Sequence, residues 1–204
     1  MKTRSDGERP YHHGNVTREI VGAALEMIGT DGVGGLSLRA LARRVGVTHG
    51  AVLHHFGDKA GVLTAVAAEG YRILGDYLQA AAEHGDFGDV GVAYVRFAAA
   101  HPSHFDVMFR PDVFHGDDHD LNEARARAAE ILYGSARGVR DAAGGDPVRA
   151  GIAGWAYVHG IATLWRDGNL PPPHTDPVAL AEELTPLLFQ ASSAARRRRR
   201  QARR

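Results

Sequence analysis

The chain has no cysteine in its 204 residues. That excludes disulfides, thiolate metal sites and cysteine nucleophiles. No apolar run reaches the roughly 18 residues a membrane-crossing helix requires. The polar N-terminus does not resemble a signal peptide, so neither a span nor a leader is expected, and the expected compartment is the cytoplasm. Catalytic signatures are missing too: there is no GxSxG, no GxxxxGKS/T phosphate loop, no GxGxxG after a strand, and no close carboxylate pair in a matching helical frame. An enzyme is therefore not expected, and no cofactor is called for.

Net charge is also absent, with 24 basic residues against 24 acidic ones, but this balance conceals a division. Residues 1–64 hold 8 Lys/Arg and 6 Asp/Glu, residues 65–195 hold 9 and 18, and residues 196–204 hold 7 and none. An acidic middle repels nucleic acid, so any such contact is confined to the N-terminal part and the tail.

What is present is organised around Ser37 to Lys59. Leu38, Leu41, Ala42 and Val45 recur at helical spacing, with Arg39, Arg43 and Arg44 off the stripe. Gly46 stops this helix, Val47 supplies an apolar staple, and Thr48 an N-cap for a second helix to about Phe56. Two short helices joined by so tight a turn form a helix-turn-helix. In the second, Val52 and Phe56 fall on the anchoring side, while Gly50, Ala51, His54 and His55 occupy the opposite arc with His49 and Leu53 at its edges. A small, polar face close to a helix N-terminus suits the major groove: the backbone can approach, and Thr and His can hydrogen-bond base edges or phosphates. Asp58 is placed to cap a third helix. Lys59, in its first turn, opposes the macrodipole, which points to a nearby anion.

The segment GVTHGAVLHHFGDKAGVL resembles the recognition-helix region of TetR/AcrR-type bacterial transcription regulators. RPYHHGNV before it and GWAYVHGIATLW far downstream are similar to the branch with a Trp-His-Gly effector domain. The resemblance implies an all-α fold, with an N-terminal three-helix helix-turn-helix DNA-binding domain followed by a helical ligand-binding and dimerisation domain. It implies DNA contacts from Thr48, His49, Gly50, Ala51, Leu53, His54, His55 and Lys59. Leu53 stands where the family usually has a phosphate-contacting Tyr, so His54 or His55 would supply that contact. It also implies a homodimer on a palindromic DNA operator, its recognition helices roughly 34 Å or somewhat more apart, released by a small-molecule effector.

Along the chain, residues 1–14 read as a flexible arm carrying Lys2, Arg4, Arg9, His12 and His13, residues 15–64 as the DNA-binding domain, residues 65–195 as the effector and dimerisation domain, and residues 196–204 as a disordered Arg-rich tail. The first helix is predicted from Asn15 to Gly32 on the stripe Ile20, Ala24, Met27 and Ile28. From Lys59 a fourth helix is expected to run unbroken into the second domain. Gly85 to Gly91 reads as a connector, Val92 to Ala100 as a helix, His104 to Phe109 as a short helix, Arg110 to Asp120 as a solvated loop, and Leu121 to Ala143 as a helix halted by Gly144-Gly145. Asp146-Pro147 starts a helix with two apolar faces, Ile152, Trp155, Ala156, His159 and Thr163 on one and Ala153, Tyr157, Gly160 and Leu164 on the other. Asp176-Pro177 starts the last, where Pro186 costs roughly 3 kcal/mol and predicts a kink near Glu182 to Pro186 or two shorter helices. These last two helices, from Asp146 to Asp167 and Pro177 to Ala195, are the expected four-helix dimer interface.

Tyr94, Phe97, His101, Met108, Phe109, Trp155, His159 and Trp165 are aromatic or polar groups among apolar helical positions and are the candidates for an effector pocket. His101 with His104 and the string HGDDHD from His115 offer metal-ligand types, but HxxH without the Glu of HExxH makes no metal site, and none is expected. The alternative reading is a nonspecific architectural DNA-binding protein using the Arg-rich tail. With three histidines in the recognition helix, DNA affinity is predicted to rise as pH falls from about 7.5 to 6, because imidazolium adds charge facing phosphate. Flat affinity across that range at fixed salt would contradict it.

Overall fold

The computed structural model describes residues 13–138 and 146–186, and these contain helices and no strand. Residues 1–12 of the arm, the Gly144-Gly145 stop and the Arg run lie outside the described residues, as does the last apolar stripe beyond Pro186, while His13 and Gly14, read as part of the arm, stand in the first helix.

Helix α1 (His13–Gly35) begins two residues ahead of the predicted Asn15 start. A glycine in a helix's first turn costs less than one in its interior, since the first N–H groups have no intrahelical partner to lose. The predicted stop survives as a kink, for Gly32 leaves helical geometry at φ 71° and the helix resumes beyond it. Ile20, Ala24, Met27 and Ile28 are buried as the stripe requires.

Helix α2 (Leu38–Val45) ends at Gly46, whose φ of 76° is the left-handed conformation that glycine adopts without a Cβ penalty. Its N–H and that of Val47 return to the carbonyls of Arg43 and Ala42, closing the turn. Helix α3 (His49–Phe56) follows at once, its first turn capped by the Thr48 hydroxyl oxygen accepting from the Ala51 N–H at 3.1 Å. Arg44 reaches Glu26 of α1 at 2.6 Å, tying α2 to α1 at the surface.

Helix α4 (Lys59–His84) is one uninterrupted rod of 26 residues, passing Gly75 without a break. Asp58 caps it, accepting from the Gly61 N–H at 2.8 Å. Val62, Leu63, Val66 and Ala67 are buried in the half of the rod that follows the helix-turn-helix, and Tyr71, Leu74 and Leu78 are buried further along.

The predicted connector Gly85 to Gly91 is not one. Helix α5 runs Phe87–Ala100 because Asp86 and Asp89 form a capping box: the Asp86 carboxylate accepts from the Gly88 and Asp89 N–H groups, and Asp89 accepts back from the Asp86 N–H at 2.8 Å. Two carboxylate caps thus overcome two glycines. Helix α6 (Pro102–Met108) starts on its proline, and helix α7 (His119–Ser135) starts early because Asp118 caps it through the Leu121 N–H. The α7 helix ends eight residues before the predicted Ala143, passing into a 3-10 turn at Ala136–Gly138.

The loop between α6 and α7 is not simply solvated. Phe114 is buried, the His115 N–H donates to Thr64 Oγ1 at 2.9 Å, and His115 Nε2 meets Asp58 Oδ1 at 3.0 Å. Helix α8 (Pro147–Arg166) is capped by Asp146 as predicted, and its end is held to α6 by a two-bonded Arg166–Asp106 pair at 2.8 and 2.6 Å. Its predicted faces are rotated: Gly151, Val158, Ile161 and Ala162 are buried, whereas Ile152 and Leu164 are 49% and 47% exposed. Residues 177–186 form α9.

Helix α6 lies so close to α4 that a Cβ on Gly70 would stand 2.5 Å from Met108 Sδ. Gly70→Ala is therefore expected to destabilise the chain by about 1–3 kcal/mol. Gly22→Ala, where a Cβ meets nothing within 4 Å on an exposed helix face, is expected to stabilise it by about 0.5–1 kcal/mol. Urea unfolding of the two variants, read for opposite signs, checks both.

Candidate functional site

Two regions concentrate the sequence-predicted residues. The first is the outer face of α3. Thr48, His49, Gly50, Leu53 and His54 are exposed there, with Ala51 and His55 half-buried, and Val52 fully buried beneath them. The anchoring side and the outer side are thus the ones that helical counting gives. Thr48 commits its oxygen to the cap, leaving its O–H and methyl outward. The Lys59 ammonium donates to the Gly34 carbonyl at 3.0 Å, so its in-chain partner is the end of α1. An ammonium has three donors, and two remain for a second acceptor. Exposed Arg39 and Arg43 flank the face from α2.

The second is a cavity of about 200 Å³ inside the α4–α8 bundle. Its walls are Tyr71, Leu74 and Leu78 of α4, Tyr94 of α5, Phe109 after α6, Arg125, Ala128, Ala129, Leu132 and Tyr133 of α7, and Trp155 of α8. Of the predicted pocket residues, the structure brings Tyr94, Phe109 and Trp155 to this wall, with His159 directly behind. The Tyr94 hydroxyl lies 2.8 Å from His159 Nδ1, and the Trp155 indole N–H points at the same hydroxyl oxygen at 3.5 Å. The hydroxyl thus accepts from the indole N–H and meets the imidazole Nδ1 in the same cluster. The rings of Phe109 and His159 pack edge to face with centroids 4.6 Å apart.

The other four predicted residues do not line the cavity. Phe97 is fully buried and stacks on His101 at 5.4 Å, both against Tyr77. Met108 packs on Gly70, and its carbonyl accepts from the Tyr71 hydroxyl at 3.1 Å. Trp165 sits ten residues, about 15 Å, along α8 from Trp155. The α7 wall is missing from the sequence-predicted set, although Arg125, Ala128, Ala129, Leu132 and Tyr133 recur at i, i+3, i+4, i+7 and i+8. A helical stripe of that kind with a cation on it is the signal that could have found it.

The histidines raised as metal ligands are engaged elsewhere. His104, buried, meets Glu69 at 3.3 Å, and that hydrogen bond holds the Glu69 carboxyl below its ordinary value. His115 goes to Asp58, whose carboxyl is lowered first by the Gly61 N–H and further by His115. Burial lowers the His159 imidazole, and burial followed by the charge of His104 lowers that of His101. Burial raises the Tyr94 hydroxyl.

Residues 20–66 match the family described as bacterial regulatory proteins, tetR family, and residues 87–188 match the tetracyclin repressor-like C-terminal domain. No curated protein matches the sequence. Among solved structures, a protein with unknown function from Rhodococcus sp. RHA1 is 31% identical, with a TM-score of 0.75 over 91% of this chain and 99% of its own. PfmR, a TetR family transcriptional regulator from Thermus thermophilus, is 20% identical with a TM-score of 0.63, over 84% and 97%. The transcriptional regulator FadR from Bacillus subtilis, solved in complex with stearoyl-CoA, is 17% identical with a TM-score of 0.64, over 84% and 97%. The last two share the fold.

The lowered His159 carries a pH dependence. In the folded chain imidazolium is disfavoured, so below about pH 6.5 the unfolded state binds more protons, and stability present above that pH is lost as pH falls toward the lowered value. The lowered carboxylates of Asp58 and Glu69 act in a separate window, below about pH 4. His159→Gln, a neutral amide that can still accept from Tyr94, is expected to shrink the fall in Tm between about pH 7.5 and 5.5. An equal fall in both proteins would assign the dependence elsewhere.

Proposed function

Because the chain belongs to the TetR family of bacterial regulatory proteins, we propose that it is a repressor that binds a palindromic operator as a homodimer and leaves it when a small molecule fills the α4–α8 cavity. The observation that carries this reading is α4, whose buried residues belong to the helix-turn-helix core at one end and to the cavity wall at the other. A ligand that favours a different α4 position biases the separation of the two recognition helices, to the extent that it binds one conformer better than the other.

On DNA, Thr48, His49, Gly50 and Ala51 approach base edges, while His54, His55 and Lys59 hold phosphates. Leu53, 37% exposed where the family usually has Tyr, offers the duplex apolar contact only. The proposed dimer face is the uncovered side of α8, where Val148, Ile152, Ala156 and Leu164 present an apolar stripe to solvent. Exposed apolar area of this kind, continuous along one helix, is what a self-complementary two-fold contact buries. The helix from Pro177, expected to complete the bundle, is described only to Pro186. The acidic middle of the chain keeps the rest of the body off the duplex.

Selection of randomised duplex DNA on the ligand-free protein at about 150 mM salt is expected to enrich a palindrome. Sedimentation is expected to find the unmodified chain a dimer and Ile152→Glu a monomer, and the variant is expected to bind the operator at least tenfold more weakly. Enrichment of no sequence would favour the nonspecific architectural alternative resting on the Arg-rich tail.

A further inference from the structure

The cavity is small, mostly apolar, and carries one cation. A dry cavity of about 150 Å³ is known to hold benzene, so about 200 Å³ accommodates one ring and a short substituent. It falls below the range of about 300–1,000 Å³ that takes drug-sized ligands. Aromatic faces from Tyr71, Phe109, Tyr133 and Trp155 suit a flat apolar body.

At the polar end, Arg125 is the only charged residue of the wall among the described residues, and no carboxylate of theirs lines it. Five other arginines beyond α4 are each paired with a carboxylate: Arg96 with Glu182, Arg110 with Asp112, Arg127 with Asp76, Arg149 with Asp146 and Arg166 with Asp106. Arg125 instead holds the neutral amide oxygen of Asn122, one turn earlier on α7. A guanidinium has five donors in a planar fork that matches a carboxylate, so most of its capacity is uncommitted. Its charge also reaches the cavity side of α4, where it favours the ionised form of Tyr71 against the larger opposing effect of burial. The opposite end makes no such demand, since Trp155, Tyr94 and His159 satisfy one another.

We propose that the cavity binds a small aryl-substituted carboxylic acid, with its ring among the aromatic side chains and its carboxylate on Arg125. This rests on the reading of the cavity as the effector site. Recognition is of the anion: burying an apolar body beside an unbalanced guanidinium favours a ligand that supplies the missing negative charge.

Calorimetric titration of the full chain without DNA tests this with 3-phenylpropionate and its uncharged analogue 3-phenylpropionamide. The acid is expected to bind at least tenfold more tightly than the amide. Arg125→Gln is expected to remove that preference by weakening the acid at least tenfold and leaving the amide unchanged. Ala128→Phe, which fills the cavity, is expected to abolish both. Equal affinity for acid and amide in the unmodified protein, an acid affinity unaltered in Arg125→Gln, or no binding of the acid would each overturn the proposal, the first and third independently of whether a variant folds. The selected operator duplex, titrated with the same preparations, separates the two readings. Acid that binds without releasing DNA supports the ligand class and removes the effector role, whereas an intact operator complex with no acid binding removes the ligand class alone.

Discussion

One helix runs the length of a single continuous core. α4 contributes Val62, Leu63, Val66 and Ala67 to the packing beneath the recognition helix, and Tyr71, Leu74 and Leu78 to the packing around the cavity. Lys59 and Tyr71 are twelve residues apart, about 18 Å along a rigid axis. A tilt of about 5° at the cavity therefore carries the helix start by roughly 1.6 Å, well beyond the half-ångström spread over which a base-edge hydrogen bond keeps its geometry. Neither end of this core can relocate its share of α4 without the other registering it. The close approach of α6 at Gly70 and the Arg127–Asp76 pair from α7 fix the middle of the rod from two more sides.

The helix-turn-helix is legible in the sequence because its signals are local. Gly46, Thr48 and Asp58 each act within four residues of themselves, through a left-handed turn or a side-chain cap, and all three stand where the residue types demand. The α5 start is harder to read, because Gly85, Gly88 and Gly91 signal a break while the reciprocal pair of Asp86 and Asp89 outweighs them. The Arg110–Asp120 loop hides its order because its anchors are distant in sequence. Nothing near His115 announces that Thr64 and Asp58 are its partners.

The cavity is half legible. Tyr94, Phe109 and Trp155 stand out as aromatics at apolar positions, but so do Phe97 and Trp165, and only the crossing of α5 with α7 and α8 decides which of them meet. Residue type selects candidates; the interhelical arrangement selects among them. On α8 the periodicity reveals two apolar faces but not their orientation, since a helix apolar over most of its circumference gives periodicity little to lock onto.

The seam between the two halves has its own consequence. Asp58 both caps α4 and receives His115, and both side chains are about half exposed, so this contact is a surface ion pair worth at most about 1 kcal/mol and a cap worth about 0.5–2 kcal/mol. The continuous apolar core beneath it is far stronger. Local opening should follow that gradient, with amides at 58–61 and 115 exchanging with solvent through fluctuations that leave the interior intact. The polar surface of this corner can thus breathe while the core beneath it stays closed.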